Sequence, residues 1–208
     1  MVSVISVANQ KGGVGKTTTT INLSASIANR GYRVLIVDID PQGNATSGLG
    51  IEKSSIKQDI YNVLIDEIPL KDTILHTSTK RLDLVPATIN LSGAETELIS
   101  MMARETRLKS ALDAVSNDYD FIFIDCPPSL GQLSINAFTA SDSILIPVQS
   151  EYYAMEGLSQ LLNTIRLVQK HFNKDLGVEG VLLTMLDSRT NLGAEVVKEV
   201  QSYFDKKV

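Results

Sequence analysis

Short apolar runs alternate along the whole chain with longer stretches in which apolar positions recur at helical spacing. The runs predict strands over residues 2–8, 33–38, 82–86, 121–125, 143–148 and 178–184. The amphipathic stretches predict helices over residues 16–29, 60–65, 94–103, 106–115, 132–140, 155–171 and 193–204, with Gly31 as the stop signal of the first. Two of the runs, Val-Leu-Ile-Val from Val34 and Phe-Ile-Phe-Ile from Phe121, are nearly continuous and fit strands buried on both faces. Strand and helix alternate without a repeat, a low-complexity tract or a linker, which predicts an α/β fold: a doubly wound, mostly parallel sheet flanked by helices. The connections are short except over residues 39–59 and 66–81.

Length and composition narrow this further. A chain of 208 residues with 43% apolar content fits one domain with a sizeable core. No apolar run approaches the roughly 18 residues of a membrane span, so a cytoplasmic protein with no membrane partner is expected. Cys126 is the only cysteine, which excludes an intrachain disulfide or a cysteine-rich metal site and suggests a buried structural thiol. The net charge of -5 argues against a surface coated in positive charge for nucleic acid, so any DNA contact is expected to be local. Arg166, Lys170, Arg189, Lys198, Lys206 and Lys207 gather toward the C-terminal part, interspersed with acids as on an ordinary solvated helix face. His76 and His171 are isolated from any metal-ligand spacing.

The chemistry concentrates where strands end, the usual ligand edge of such sheets. Residues 10–18 read Gln-Lys-Gly-Gly-Val-Gly-Lys-Thr-Thr, between the first strand and the first helix. Gly12, Gly13 and Gly15 allow the backbone to wrap a polyphosphate, with the amides of Val14, Thr17 and Thr18 and the helix N-terminus turned to it. Lys16 supplies charge for the outer phosphates, and the Thr17 hydroxyl suits Mg²⁺. The general phosphate-loop pattern would put glycine at Gln10; this chain adds a second lysine, Lys11, instead. Lys11 can act as a second counter-charge in cis or reach a neighbouring subunit's nucleotide, and spacing does not choose between these. Asp125, closing a buried strand, has the form of a carboxylate that holds Mg²⁺. Asp38 and Asp40 end the second strand, followed by the turn-forming Pro41, Gln42, Gly43 and Asn44.

Residues 11–18 resemble the deviant Walker A motif of the ParA/MinD class of P-loop ATPases. The segment Asp-Ile-Asp-Pro-Gln-Gly-Asn-Ala-Thr-Ser-Gly-Leu-Gly from Asp38, Ile-Asp-Cys-Pro-Pro-Ser-Leu from Ile124 and Pro-Val-Gln-Ser-Glu-Tyr-Tyr-Ala-Met-Glu-Gly-Leu from Pro147 are similar to the chromosomal ParA (Soj) branch. The resemblance implies an ATPase with ATP and Mg²⁺ as ligands, slow without a partner. Lys11 would cross to the partner's nucleotide in an ATP-dependent homodimer, and Gly12 and Gly13 would sit where the two sites meet. Asp40 would orient the attacking water, and Asp38 would support Mg²⁺ and the phosphate loop. The turn at residues 41–44 would move with nucleotide state as one switch, residues 127–131 would form a second, and residues 151–157 would lie near the interface.

The same resemblance implies non-specific DNA binding through Arg189 and, more weakly, Lys198. It also implies a ParB-like partition protein that stimulates hydrolysis, and association with the nucleoid during chromosome or plasmid segregation. The family usually continues past the position of Val208, so residues 1–208 are expected to form a single P-loop ATPase domain lacking the final strand and helix. A MinD-like membrane-cycling ATPase is the alternative, for which residues 196–208 make a poor amphipathic helix. An iron-sulfur relative on the same scaffold is excluded by the single cysteine.

Overall fold

The computed structural model describes residues 2–149, 154–186, 197–198, 200–202, 204 and 207–208, with the backbone alone at 154–156. Among the described residues seven strands form one sheet: β1 (Ser3–Val7), β2 (Val34–Asp38), β3 (Leu75–His76), β4 (Leu82–Val85), β5 (Phe121–Asp125), β6 (Ser143–Gln149) and β7 (Gly177–Thr184). Their order is β3-β4-β2-β5-β1-β6-β7, and every pairing is parallel except β3 with β4. The predicted mostly parallel α/β sheet is the observed one. All five residues of β2 are buried, the pattern of a strand covered on both faces.

The helices are α1 (Lys16–Asn29), α2 (Asn44–Gly48), α3 (Ile60–Leu64), α4 (Leu91–Glu97), α5 (Arg107–Asp113), α6 (Gln132–Ala140) and α7 (Ala154–His171). One sheet face carries Ile5, Val7, Val34, Ile36, Leu84 and Phe123 against α1 and α2. The other carries Val4, Leu35, Val37, Ile122 and Ile124 in a larger core with residues of α3 to α7. α1 buries Lys16, Thr20, Ser24 and Ala28 at four-residue spacing. Small and polar residues on that stripe let the helix lie close on the strands and leave hydroxyls where the carboxylates end.

The differences from the expected elements have local causes. The helix expected over 94–103 begins earlier, at Leu91, and passes into a 3-10 turn at Leu98–Ser100; Ala103, its predicted end, takes a left-handed φ of 52°. α2 falls inside the expected loop 39–59, because Asn44, Thr46, Ser47 and Gly48 have weak helix propensity and the segment is held by tertiary bonds instead. β3 has only two residues, too short for any periodicity. Half of the helix expected over 193–204 lies outside the described residues, and the described positions 197–198, 200–202 and 204 are helical.

Candidate nucleotide site

Because β2, β5 and β1 are adjacent and parallel, their carboxyl ends and the segments that follow meet at one edge. The junction is zipped by backbone bonds beyond the strands: Ala8 N–H to Leu145 O at 3.1 Å, Ile39 N–H to Asp125 O at 3.1 Å and Cys126 N–H to Val7 O at 3.2 Å. Asn9 fixes the entry to the glycine loop by donating to Pro147 O at 2.7 Å and accepting from Lys11 N–H at 2.9 Å. The exit is held by Thr184 of β7, whose hydroxyl donates to Val14 O at 2.9 Å. Between these points Gly13 and Gly15 have φ of 75° and 88°, the left-handed region that side chains disfavour.

This loop has the features of an anion cradle. Gly15 caps α1 with no side-chain bond, and the first turn carries no acidic residue, so the amide end of a 14-residue helix is turned to the loop without a protein acceptor on its cap. Lys16 is 7% exposed and its ammonium donates to the Lys11 carbonyl at 3.0 Å, bent back over the loop. Burial lowers its pKa, against the opposing pull of Asp125, Cys126 and Asp40.

Asp125 is fully buried and accepts from the hydroxyl of Thr17 at 2.7 Å and that of Thr20 at 3.1 Å. A threonine hydroxyl that gives its proton to a carboxylate turns its lone pairs outward, the orientation a metal ligand requires. Burial pushes the Asp125 pKa up to about 6, partly offset by those two hydroxyls. Asp38, its register partner on β2, is also fully buried. It accepts from Thr46 N–H at 2.8 Å, Thr46 Oγ1 at 2.7 Å and Asp40 N–H at 3.2 Å. Burial and the neighbouring Asp125 push it to about 7. Asp40, 7% exposed, accepts from Gln42 N–H at 2.9 Å and closes a turn through Gly43 N–H to its own carbonyl at 2.8 Å.

Two buried carboxylates side by side, served by a single buried ammonium, form a pocket of negative charge that a divalent cation neutralises. The residues therefore fit Mg²⁺, with Thr17 and Asp125 as the groups able to hold it, and the glycine loop fits a polyphosphate.

Of the residues singled out from sequence, the structure brings together Gly12, Gly13, Val14, Gly15, Lys16, Thr17, Thr18, Asp38, Asp40 and Asp125, with Lys11 on the same loop. Lys198 is exposed on a helical segment, while Arg189 lies outside the described residues, as do 151–153 of the expected interface segment. Sequence reasoning passed over Asn9, Thr20, Thr46 and Thr184. Thr20 alone left a signal, one helical turn from Lys16 on the buried stripe.

Seven parallel-dominated strands, a glycine loop leading into a helix and acids at neighbouring strand ends define a P-loop nucleotide-binding protein. The AAA domain family model matches residues 2–178. Sporulation initiation inhibitor protein Soj of Bacillus subtilis is 64% identical over 208 residues, covering 100% of this chain and 82% of that protein. Chromosome partitioning protein ParA of Myxococcus xanthus is 55% identical, covering 99% of this chain and 72% of that protein. A solved structure of cobyrinic acid a,c-diamide synthase from Mycobacterium smegmatis, with bound ATP analogue and magnesium, superposes with a TM-score of 0.93. It shares 40% identity, covering 99% of this chain and 84% of the other. The chain belongs to the ParA/Soj family of partition ATPases.

Proposed function

We propose that this chain is a dimerising ATPase that binds DNA in its ATP form and leaves it on hydrolysis, moving a chromosome or plasmid. The observation that carries the reading is the meeting of Lys16, Thr17, Asp125 and Asp40 at one strand edge, with Lys11 on the same loop. The partition relatives stand at 64% and 55% identity and the diamide synthase at 40%, which ranks partition first.

The loop amides and Lys16 bind the phosphates of ATP. Mg²⁺ supplies the positive charge that the buried acids lack and offsets charge developing on the phosphates. Thr17 and Asp125 would hold the ion, and Asp38 would support it by its charge and by fixing the turn that carries Asp40. Asp40 orients water toward the terminal phosphate, giving ADP and phosphate. Lys11 reaches the nucleotide of a second copy, so that two chains close over two ATP molecules. Gly12 is consistent with this: it has no positive φ and a Cβ there would meet nothing within 4 Å of its own chain, which leaves that stretch of backbone open both to the phosphates and to a second copy. Arg189 and Lys198, doubled in the dimer, bind DNA phosphates without sequence preference, and a ParB-like partner accelerates an otherwise slow turnover in a cytoplasmic, nucleoid-associated cycle. No described helix is long and apolar enough to cross a membrane.

Light scattering on a sizing column tests the dimer. Wild type is expected to dimerise with ATP and not with ADP. Lys11→Ala is expected to bind nucleotide within about threefold of wild type yet remain monomeric, as loss of a group acting only across the interface requires. A Lys11→Ala protein that still dimerises overturns the cross-subunit role. ATP-dependent retention on anionic vesicles in place of random-sequence DNA overturns the partition reading in favour of a membrane cycle.

A further inference from the structure

The loop after Asp125, residues 127–131, ends at Gly131, which is the N-cap of α6 and has no side chain to satisfy the helix's first amides. That service comes from another helix. Glu95 of α4 accepts from Gln132 N–H at 2.7 Å, a charged acceptor at the positive end of a nine-residue helix. The carboxylate lies so close that a Cβ on Gly131 would meet its oxygens at 2.5 and 2.7 Å. Gly131 has an ordinary φ of -82°, so what a side chain there would disturb is not the backbone but the seating of the Glu95 carboxylate, which it would push off the amide. Just beyond, the Ser134 hydroxyl donates to the Ser129 carbonyl, tying the loop back onto α6. Asn136 of α6 accepts from Leu108 N–H at 3.2 Å and donates to Arg104 O at 2.7 Å, fastening the helix to the α4–α5 connection.

The segment leading into α4 is bound to the other acidic turn. Ala87 N–H donates to the Thr46 hydroxyl at 3.0 Å, and that hydroxyl donates to Asp38. Thr88 donates to Asp59 and closes the first turn toward α4 through its carbonyl, which accepts from Leu91 N–H at 3.1 Å. One short helix thus joins the turn that carries Asp40 and the loop that follows Asp125.

Resting on the ATPase reading above, we propose that Glu95 is a positioning residue for hydrolysis: set against Gly131 and the Gln132 amide, it holds the loop after Asp125 in register with the Asp40 turn, through α4. Asp40 and Asp125 remain the groups that meet water and metal. The role of Glu95 is to keep their two loops in one arrangement, so it bears on turnover and not on nucleotide capture.

The test uses the whole chain as wild type, Glu95→Ala, Glu95→Gln, Gly131→Ala and the Glu95→Ala/Gly131→Ala double variant. Each is compared for fluorescent-ATP affinity, melting temperature and Mg²⁺-dependent hydrolysis. Glu95→Ala should lower kcat about tenfold, as small misplacements of catalytic groups do, with nucleotide affinity within about threefold. Glu95→Gln, equal in length and still able to accept from the amide, should recover most of that loss. Gly131→Ala should displace the Glu95 carboxylate from the Gln132 amide and lower kcat as Glu95→Ala does, and the double variant should be no worse than Glu95→Ala, because the second change then has nothing left to displace. Unchanged kcat in Glu95→Ala with a lowered melting temperature overturns the proposal and leaves Glu95 a helix cap. Should Glu95→Ala fail to fold, Glu95→Gln and Gly131→Ala decide: wild-type kcat in both overturns it. A wild type that binds ATP but never hydrolyses it, alone or with DNA, overturns the ATPase reading itself, a result separate from any difference among the variants.

Discussion

Asp38 and Asp125 end adjacent strands at the same level, both fully buried and both with raised pKa values, yet their surroundings differ in kind. Asp125 is held by two side-chain hydroxyls from α1. The Thr17 oxygen, having given its proton to Asp125, still has lone pairs to offer a metal. Asp38 is held by two backbone amides and by a hydroxyl whose oxygen is already accepting from Ala87 N–H. Its shell is closed by protein. Equal burial and equal position in the sheet therefore do not make equal function: the open shell suits chemistry, and the closed one suits holding a turn in place.

The sharpest way to break this contrast is through turnover. Asp125→Asn should reduce Mg²⁺-dependent hydrolysis by more than about a hundredfold, since a metal-held charge accounts for several kcal/mol of the barrier. The same substitution should leave melting of the nucleotide-free protein unchanged or raised, because it removes a buried charge. A phosphate-release assay and a thermal melt on one preparation check both halves, and near-normal hydrolysis would remove Asp125 from the site.

Acidity sharpens it next. Both acids are protonated in folded and unfolded chains below about pH 4, near the ordinary carboxylate value. As pH rises toward the folded values of about 6 and 7, the unfolded chain releases its protons first, so the folded state loses stability across that window and the loss is complete above it. For Asp125 alone the change is on the order of 2 to 3 kcal/mol. Urea titrations of the nucleotide-free protein between pH 4.5 and 8 should show this fall, shallower in Asp125→Asn and shallower in wild type with Mg²⁺ and ATP. A rise over the same range would contradict the buried-charge account.

The smallest expected effect tests the closed shell. Thr46→Val keeps shape but leaves Asp38 short of one donor and Ala87 N–H short of its acceptor, at a cost of about 1 to 2 kcal/mol. Urea unfolding measures it, and nucleotide affinity should change by less than about threefold because no phosphate contact is touched.

How much of this was legible beforehand follows the range of the interactions. The apolar runs of β1, β2 and β5 and the bounds of α1 and α6 could be read directly, because periodicity and glycine punctuation are local signals. The glycine loop, Lys16 and the acids at strand ends were legible for the same reason. α2 was not, because Thr46 and Asp38, eight residues apart, hold it where propensity would not. β3 is too short to carry a pattern. Glu95 and Gln132 are 37 residues apart, and Thr184 and Val14 are 170 apart. No spacing rule reaches across such distances. Sequence likewise could not separate Asp38 from Asp125, which differ only in the donors that tertiary structure brings to them.

The position of β1 has a consequence for how the chain is made. β1 pairs with β5 and β6 and with neither β2 nor β4, so the partner of Ser3, Phe121, is synthesised over a hundred residues after it. Until then this apolar strand waits without a neighbour, exposed to the misassembly that threatens sheets built from distant strands. The glycine loop, attached to that strand, takes its final form only when the nascent chain has delivered residues 121–149 to either side of it.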